Sequence, residues 1–269
     1  MQKKYLKEDF TAQEWEAAKG KILLAADVST VEEAETIAAT LGPHVGGIKI
    51  GLETITAFGG PTAIMAVQNN GGQPFYDGKF DDIPNTTFKA SIPLAQKGVR
   101  MMNVHASSGG DSIAKAVEAV HGTNTLVLVV TVLTSISPEE CIEIFGDLPE
   151  VKVPQFARKA IANGAHGVIC SPQELKFLEG EEFKGLHKVT PGIQPEYMQS
   201  NDQKRVMTPG EAIKAGADFL VIGRAITAPP KDHPFIQGDP LKAIEFITLE
   251  IAIAMKEMKE YEEKASFHS

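Results

Sequence analysis

The chain has 269 residues, a formal net charge of −9 at pH 7 and 43% hydrophobic residues. Phosphate-backbone recognition needs clustered Lys and Arg, so this acidic balance, with no basic stripe, argues against a nucleic-acid surface. The two cysteines, Cys141 and Cys170, have no paired spacing and read as buried thiols of a reducing compartment.

The first residues lack an apolar stretch of signal-peptide type, and the longest apolar runs, such as 126–133, are too short to cross a bilayer. The expected location is therefore the cytoplasm, and neither a membrane nor a nucleic acid is an expected partner. Residues 1–20 read as a helical lead-in, with Trp15 packing against the barrel. Short apolar runs then follow at 21–28, 46–51, 74–79, 100–106, 125–134, 167–171, 187–193 and 219–225. Each is nearly continuous, the pattern of a strand covered on both sheet faces. Amphipathic stretches separate them at 30–41, 54–68, 86–97, 111–120, 154–163, 172–178 and 209–215, and a long helical pattern closes the chain at 240–264. Gly59-Gly60-Pro61 predicts a break in the second of these, and 146–149 a break after the fifth strand.

Strict strand–helix alternation implies a parallel sheet, and eight units suggest closure into a (β/α)8 barrel. An open doubly wound sheet is the competing architecture. It would want a glycine-rich turn after the first strand, and Ala25-Ala26-Asp27-Val28-Ser29 contains no glycine. Nothing in the composition divides the chain, so 1–269 is expected to form one domain.

Barrel enzymes build their sites at the C-terminal ends of the strands. Asp27 ends the first predicted strand, Lys49 interrupts the second, and Asp77 and Lys79 lie in the third. Successive strand side chains alternate faces, so Asp77 and Lys79 point the same way; Asp82 follows where the chain turns toward a helix. Fixed anions stabilise a lysine's ammonium form and repel further negative charge. That suits a substrate that loses an anionic group and then needs a proton, as in decarboxylation. Taken singly, Asp27, Lys49 or Arg224 reads more readily as a solvated rim residue or a local ion pair. The joint pattern in adjacent strands does not, because buried Lys or Asp is rare unless paired. A purely structural ion network is the alternative that remains.

The fourth strand ends in Asn103 and His105, and the fifth runs into Thr134, Ser135 and Ser137. Gly223 and Arg224 follow the eighth strand, where backbone N–H groups and a guanidinium suit a phosphate. The seven histidines show no metal-ligand spacing.

The segment Asp77-Gly-Lys79-Phe-Asp-Asp82-Ile83-Pro-Asn-Thr86 resembles the signature of the orotidine 5′-phosphate decarboxylases, the last enzymes of UMP synthesis. The resemblance extends over Leu24-Ala-Ala-Asp27, Ile48-Lys49-Ile50-Gly51, Asn103-Val-His105-Ala, Val130-Thr-Val-Leu-Thr-Ser135, Val189-Thr-Pro191-Gly192-Ile193, Gln203-Lys-Arg-Val-Met-Thr-Pro209 and Val221-Ile-Gly223-Arg224. It implies a cofactor-free, metal-free conversion of orotidine 5′-monophosphate to UMP in a homodimer with its sites at the interface. Lys79 is then the proton donor to C6, Asp77 faces the departing carboxylate, and Lys49 completes the charge network with Asp82 from the second subunit. Asp27 and Lys49 are implied ribose contacts, with Ile83 and Thr86 beside the substrate, Thr86 from the second subunit. Ser135 or Ser137 is implied at the pyrimidine edge, Pro191 in the pocket wall, and Gln203, Gly223 and Arg224 at the phosphate. Two rivals stand beside this reading. One is a Mg²⁺-dependent sugar-phosphate decarboxylase or aldol-type synthase of the same superfamily. The other is a non-catalytic nucleotide-binding barrel.

Overall fold

A computed structural model describes residues 6–198 and 207–266. Helix α1 (Ala12–Lys19) precedes β1 (Ile22–Ala25). There follow α2 (Val31–Leu41), β2 (Gly47–Ile50), α3 (Leu52–Phe58), α4 (Gly60–Gln68), β3 (Pro74–Phe80), α5 (Pro84–Gln96), β4 (Met101–His105) and α6 (Gly110–Val120). The second half runs β5 (Leu126–Val130), α7 (Pro138–Phe145), α8 (Pro149–Ala162), β6 (Gly167–Ile169), β7 (His187–Thr190), α9 (Pro209–Lys214), β8 (Phe219–Ile222), α10 (Arg224–Thr227) and α11 (Pro240–Ser266). The eight strands pair in chain order, all parallel, and β8 returns to β1 to close a barrel.

Helix starts are written in the sequence as Ser or Thr followed three residues later by Glu. Thr11 with Glu14, Ser137 with Glu140, Ser171 with Glu174 and Thr208 with Glu211 each form a reciprocal cap. The hydroxyl accepts the N–H of the third residue, whose carboxylate accepts the N–H of the cap, and two otherwise unpaired donors are satisfied. Gly59, at φ 85°, separates α3 from α4, as the Gly-Gly-Pro sequence predicts. Two expectations are corrected. The helix expected to begin at Pro154 begins at Pro149, which lacks only an orphan N–H of the first turn, while Pro154 lies inside α8, beyond that turn. The stretch expected as a helix at 172–178 is a 3-10 segment, Pro172–Leu178. Trp15 lines a surface pocket together with Ile244 and Thr248, and the lead-in helix packs on α11 at the outside of the barrel.

Strand parity divides the core in two. Ile22, Leu24, Ile48, Ile50, Met102, Val104, Val127 and Val129 face outward into the helices. Leu23, Phe75, Met101, Leu128 and Val189 fill the barrel interior. The same parity points Lys49, Asp77 and Asn103 inward, above that apolar plug and toward the C-terminal rim. Apart from β3, which runs to Phe80, the strands are also shorter at their C-terminal ends than the apolar runs suggest. Strand β5 stops at Val130, and residues 131–137 form the loop that borders the site.

Candidate active site

Four side chains form a line of alternating charge across β1, β2 and β3. Asp27 Oδ1 lies 3.0 Å from Lys49 Nζ, Lys49 Nζ 3.5 Å from Asp77 Oδ2, and Asp77 Oδ1 2.7 Å from Lys79 Nζ. Exposure decides their roles. The side chains of Lys49 and Asp77 are 11% and 10% exposed, that of Lys79 is 31% exposed, and that of Asp27 is 48% exposed. The inner pair is desolvated and the outer members reach open space. Burial opposes ionisation of Asp77, but Lys49, Lys79 and the Asn103 amide outweigh it and hold its carboxyl below the usual carboxylate range.

Gly51 follows directly after β2, where a larger residue would push the ends of the Asp27 and Lys49 side chains out of the ionic line. A Cβ there would stand 2.5 Å from Asp27 Oδ1 and 2.8 Å from Lys49 Nζ. Lys79 has φ 48°, in the left-handed region, and the β3–β4 register shifts between Tyr76 and Phe80. Its N–H donates to Asn103 Oδ1 at 2.7 Å, and Asn103 Nδ2 donates to Asp77 Oδ1 at 2.6 Å.

Lys49, Asp77 and Lys79 line one wall of a cavity of about 190 Å³. The opposite wall is apolar apart from Thr134, with Val132, Leu133, Ile169, Pro191 and Val221. An ionic edge facing an apolar slot suits a flat, polar-edged ring. His105, at the end of β4, is half-buried, and desolvation holds its imidazole below the ordinary value despite Asp81 nearby.

The other expected residues fall in three places. Asp82, Ile83 and Thr86 are exposed around the start of α5 and do not line this cavity. Asp82 Oδ1 accepts the Ile83 N–H at 2.7 Å, and its backbone oxygen accepts the buried Ser112 hydroxyl at 2.6 Å. Among the described residues Asp82 makes no ion pair. Ser137 is the N-cap of α7, its hydroxyl accepting the Glu140 N–H at 3.2 Å. Ser135 is exposed beside Thr134, and neither serine lines the cavity. Gly223 and Arg224 sit at the end of β8, Arg224 exposed and opening α10. Tyr197 donates its hydroxyl to the Ala225 carbonyl at 2.7 Å, tying the loop after β7 to this turn. Gln203 lies outside the described residues.

Sequence reasoning singled out neither Thr134, Asn103 nor Gly51 as a site residue. The capping pattern Ser137-Pro-Glu-Glu140 signals that Ser137 is engaged; the Thr131 hydroxyl donates to the Ile169 carbonyl, and Thr134 is the hydroxyl of this loop that lines the cavity.

The model of the orotidine 5′-phosphate decarboxylase / HUMPS family matches residues 20–233. The orotidine 5′-phosphate decarboxylase of Geotalea uraniireducens is 42% identical over 244 residues, covering 87% of this chain and 96% of its own length. That of Syntrophotalea carbinolica is 40% identical over 248 residues, covering 89% and 98%. The chain belongs to the orotidine 5′-phosphate decarboxylase family. The crystal structure of orotidine 5′-phosphate decarboxylase from Lactobacillus acidophilus superposes with a TM-score of 0.70 at 31% identity, over 86% of this chain and 98% of that one. The family match takes in all eight strands, α2 to α10 and the ionic line, while α1 and α11 lie outside it.

Proposed function

We propose that this chain is an orotidine 5′-phosphate decarboxylase, a carboxy-lyase that converts orotidine 5′-monophosphate to UMP and CO2 without a cofactor. The observation that carries the reading is the Asp27–Lys49–Asp77–Lys79 line, which brings an ammonium and a carboxylate together at the edge of a slot sized for a pyrimidine.

In this reading the pyrimidine lies against Val132, Ile169, Pro191 and Val221, with its C6 carboxylate toward Asp77 and Lys79. The C6–carboxylate bond breaks, CO2 leaves, and the electron pair stays on C6. Lys79 Nζ gives that carbon a proton and recovers one from solvent. The fixed ammonium stabilises the developing carbanion more than the bound substrate, and only such differential stabilisation raises the rate of the chemical step. Lys49 neutralises Asp77 on its other side and, with Asp27, takes the ribose hydroxyls. Thr134 replaces Ser137 as the favoured contact for the pyrimidine edge, with Ser135 beside it. Gly223, Arg224 and Gln203 grip the phosphate, away from the reacting carbon. Binding energy gathered there orders the charged cluster.

A homodimer completes the site, with Asp82, Ile83 and Thr86 of the partner subunit reaching the cavity. Their exposure at the start of α5, and the lack of an ion pair to Asp82 among the described residues, support this assignment. The whole chain 1–269 acts as one domain, in the cytoplasm, where its two buried thiols stay reduced.

The test is a spectrophotometric assay of orotidylate consumption with and without EDTA. Turnover that survives the chelator supports the reading. Turnover lost with EDTA and restored by Mg²⁺ favours the metal-dependent branch of the superfamily, and tight UMP binding without turnover favours a nucleotide sensor. Lys79→Ala should abolish turnover and leave the circular dichroism spectrum unchanged; near-wild-type activity in that variant removes the proton-donor assignment.

A further inference from the structure

We infer that Asn103 is a positioning residue for this chemistry: one buried amide fixes both the carboxylate of Asp77 and the backbone of Lys79, and so sets the distance between them. The inference rests on the decarboxylase reading and adds a component to it.

Asn103 is 1% exposed and projects inward from β4. Its two bonds, to Asp77 Oδ1 at 2.6 Å and from the Lys79 N–H at 2.7 Å, use one face of the amide each. The partners dictate which way the amide points. An ionised carboxylate only accepts and a backbone N–H only donates, so the NH2 must face Asp77 and the oxygen must face Lys79. No other side chain of this size offers a donor and an acceptor side by side. Asp presents two acceptors, Leu presents none, and Gln is one carbon longer.

The backbone explains why a side chain is needed here. Lys79 leaves the extended conformation for φ 48°, and regular pairing of β3 with β4 is interrupted between Tyr76 and Phe80. A left-handed residue with a Cβ is strained relative to the ordinary conformation, so its N–H needs a strong fixed partner where the ladder gives none. The Asn103 oxygen supplies it. The Asn103 nitrogen, less than one side chain away, holds the same carboxylate oxygen that receives Lys79 Nζ. Both ends of the Asp77–Lys79 pair therefore hang on one rigid amide.

A residue that only fills buried space would affect folding, and one that binds substrate would affect affinity. Asn103 should affect neither much, and should act on the chemical step. In Asn103→Ala, kcat for orotidylate is expected to fall about 10- to 100-fold, because small misplacements of reacting groups have effects of that order. KM and the dissociation constant of UMP should stay within about threefold. Asn103→Asp keeps the size and the acceptor for Lys79 but sets a second carboxylate against Asp77. The charged and titratable groups facing that site are Lys49 from β2, Lys79 from β3 and His105 further along β4. Two carboxylates in one site cannot both ionise freely, so the acid limb of its kcat–pH profile should move to higher pH.

The inference is overturned if Asn103→Ala matches the wild-type kcat, if its loss appears in KM and UMP affinity instead, or if the acid limb of Asn103→Asp stays in place. Failure of both variants to show a cooperative thermal transition overturns it as well, since Asn103 would then be needed for the fold itself. A wild type with no turnover removes the decarboxylase reading and this inference with it; a wild type that turns over beside an equally fast Asn103→Ala removes this inference alone.

Discussion

In the proposed reading Lys79 and Arg224 serve one substrate under different physical constraints. Lys79 sits in a left-handed backbone position, gripped by Asp77 and Asn103. Arg224 is exposed, and among the described residues its guanidinium makes no ion pair, so its charge is available to a phosphate at the end of β8. Removing it should weaken phosphate-dependent binding without touching the reacting carbon. We expect Arg224→Ala to raise KM for orotidylate by at least about tenfold, the scale of one lost charge-assisted fork, and to leave binding of the dephosphorylated nucleoside unchanged. Titrations with both ligands check this; equal losses would contradict a phosphate role. At this scale charge was legible and hydrogen bonding was not. Lys49, Asp77 and Lys79 stand out because charges are rare in apolar runs. Asn103 and Thr134 are ordinary polar residues whose importance comes from neighbours distant in sequence, Asn103 through Asp77 and Lys79, Thr134 through the slot that Pro191 and Val221 help to wall.

The caps that start the helices also carry a pH signature. Glu174, in the cap of the segment Pro172–Leu178, is buried, and desolvation pushes its carboxyl up to about 7 even though it accepts the Ser171 N–H at 2.8 Å. A carboxyl whose folded value is raised favours the native state fully below the unfolded value, near 4.5, and that contribution is lost as pH rises through about 7. A neutral Gln at this position keeps the acceptor and removes the charge. Glu174→Gln should therefore melt higher than wild type at pH 8, by about 3 °C or more, with the difference vanishing near pH 4. Scanning calorimetry at the two pH values decides it, and a variant less stable at pH 8 would refute the burial argument. Element existence was readable because the caps, the Gly59 break and the apolar runs are local signals. Element ends were less so. Strand β5 and the start of the loop that follows it share one apolar run, so nothing local in the sequence marks where pairing stops. Pro154 looked like a helix start because a proline at the first turn and one a turn later present the same local sequence signal, and Pro149 holds the first position.

For the whole molecule, the alternation of strands and helices was sufficient to expect a closed parallel barrel, since length and periodicity left few other ways to cover both faces of each strand. Assembly was not legible in that way: in the proposed dimer, the exposed residues around the start of α5 take their role only beside a second copy. If Lys79 of one subunit works with the partner's Asp82, then Lys79→Ala and Asp82→Ala should each be inactive alone. Mixed in equal amounts under conditions of subunit exchange, they should recover about a quarter of wild-type activity. Half the dimers would be hybrids, and one of their two sites would be intact. No recovery, with exchange verified by mass, would place each site within a single chain. The ring of strands bears on how such copies meet. β8 returning to β1 leaves no sheet margin with dangling backbone donors and acceptors, so one folded molecule has no template on which another can lay down a strand. Contact between copies must be written in side chains and loops, where a single substitution is able to tune or abolish it, and crowding the folded protein should not by itself seed fibres.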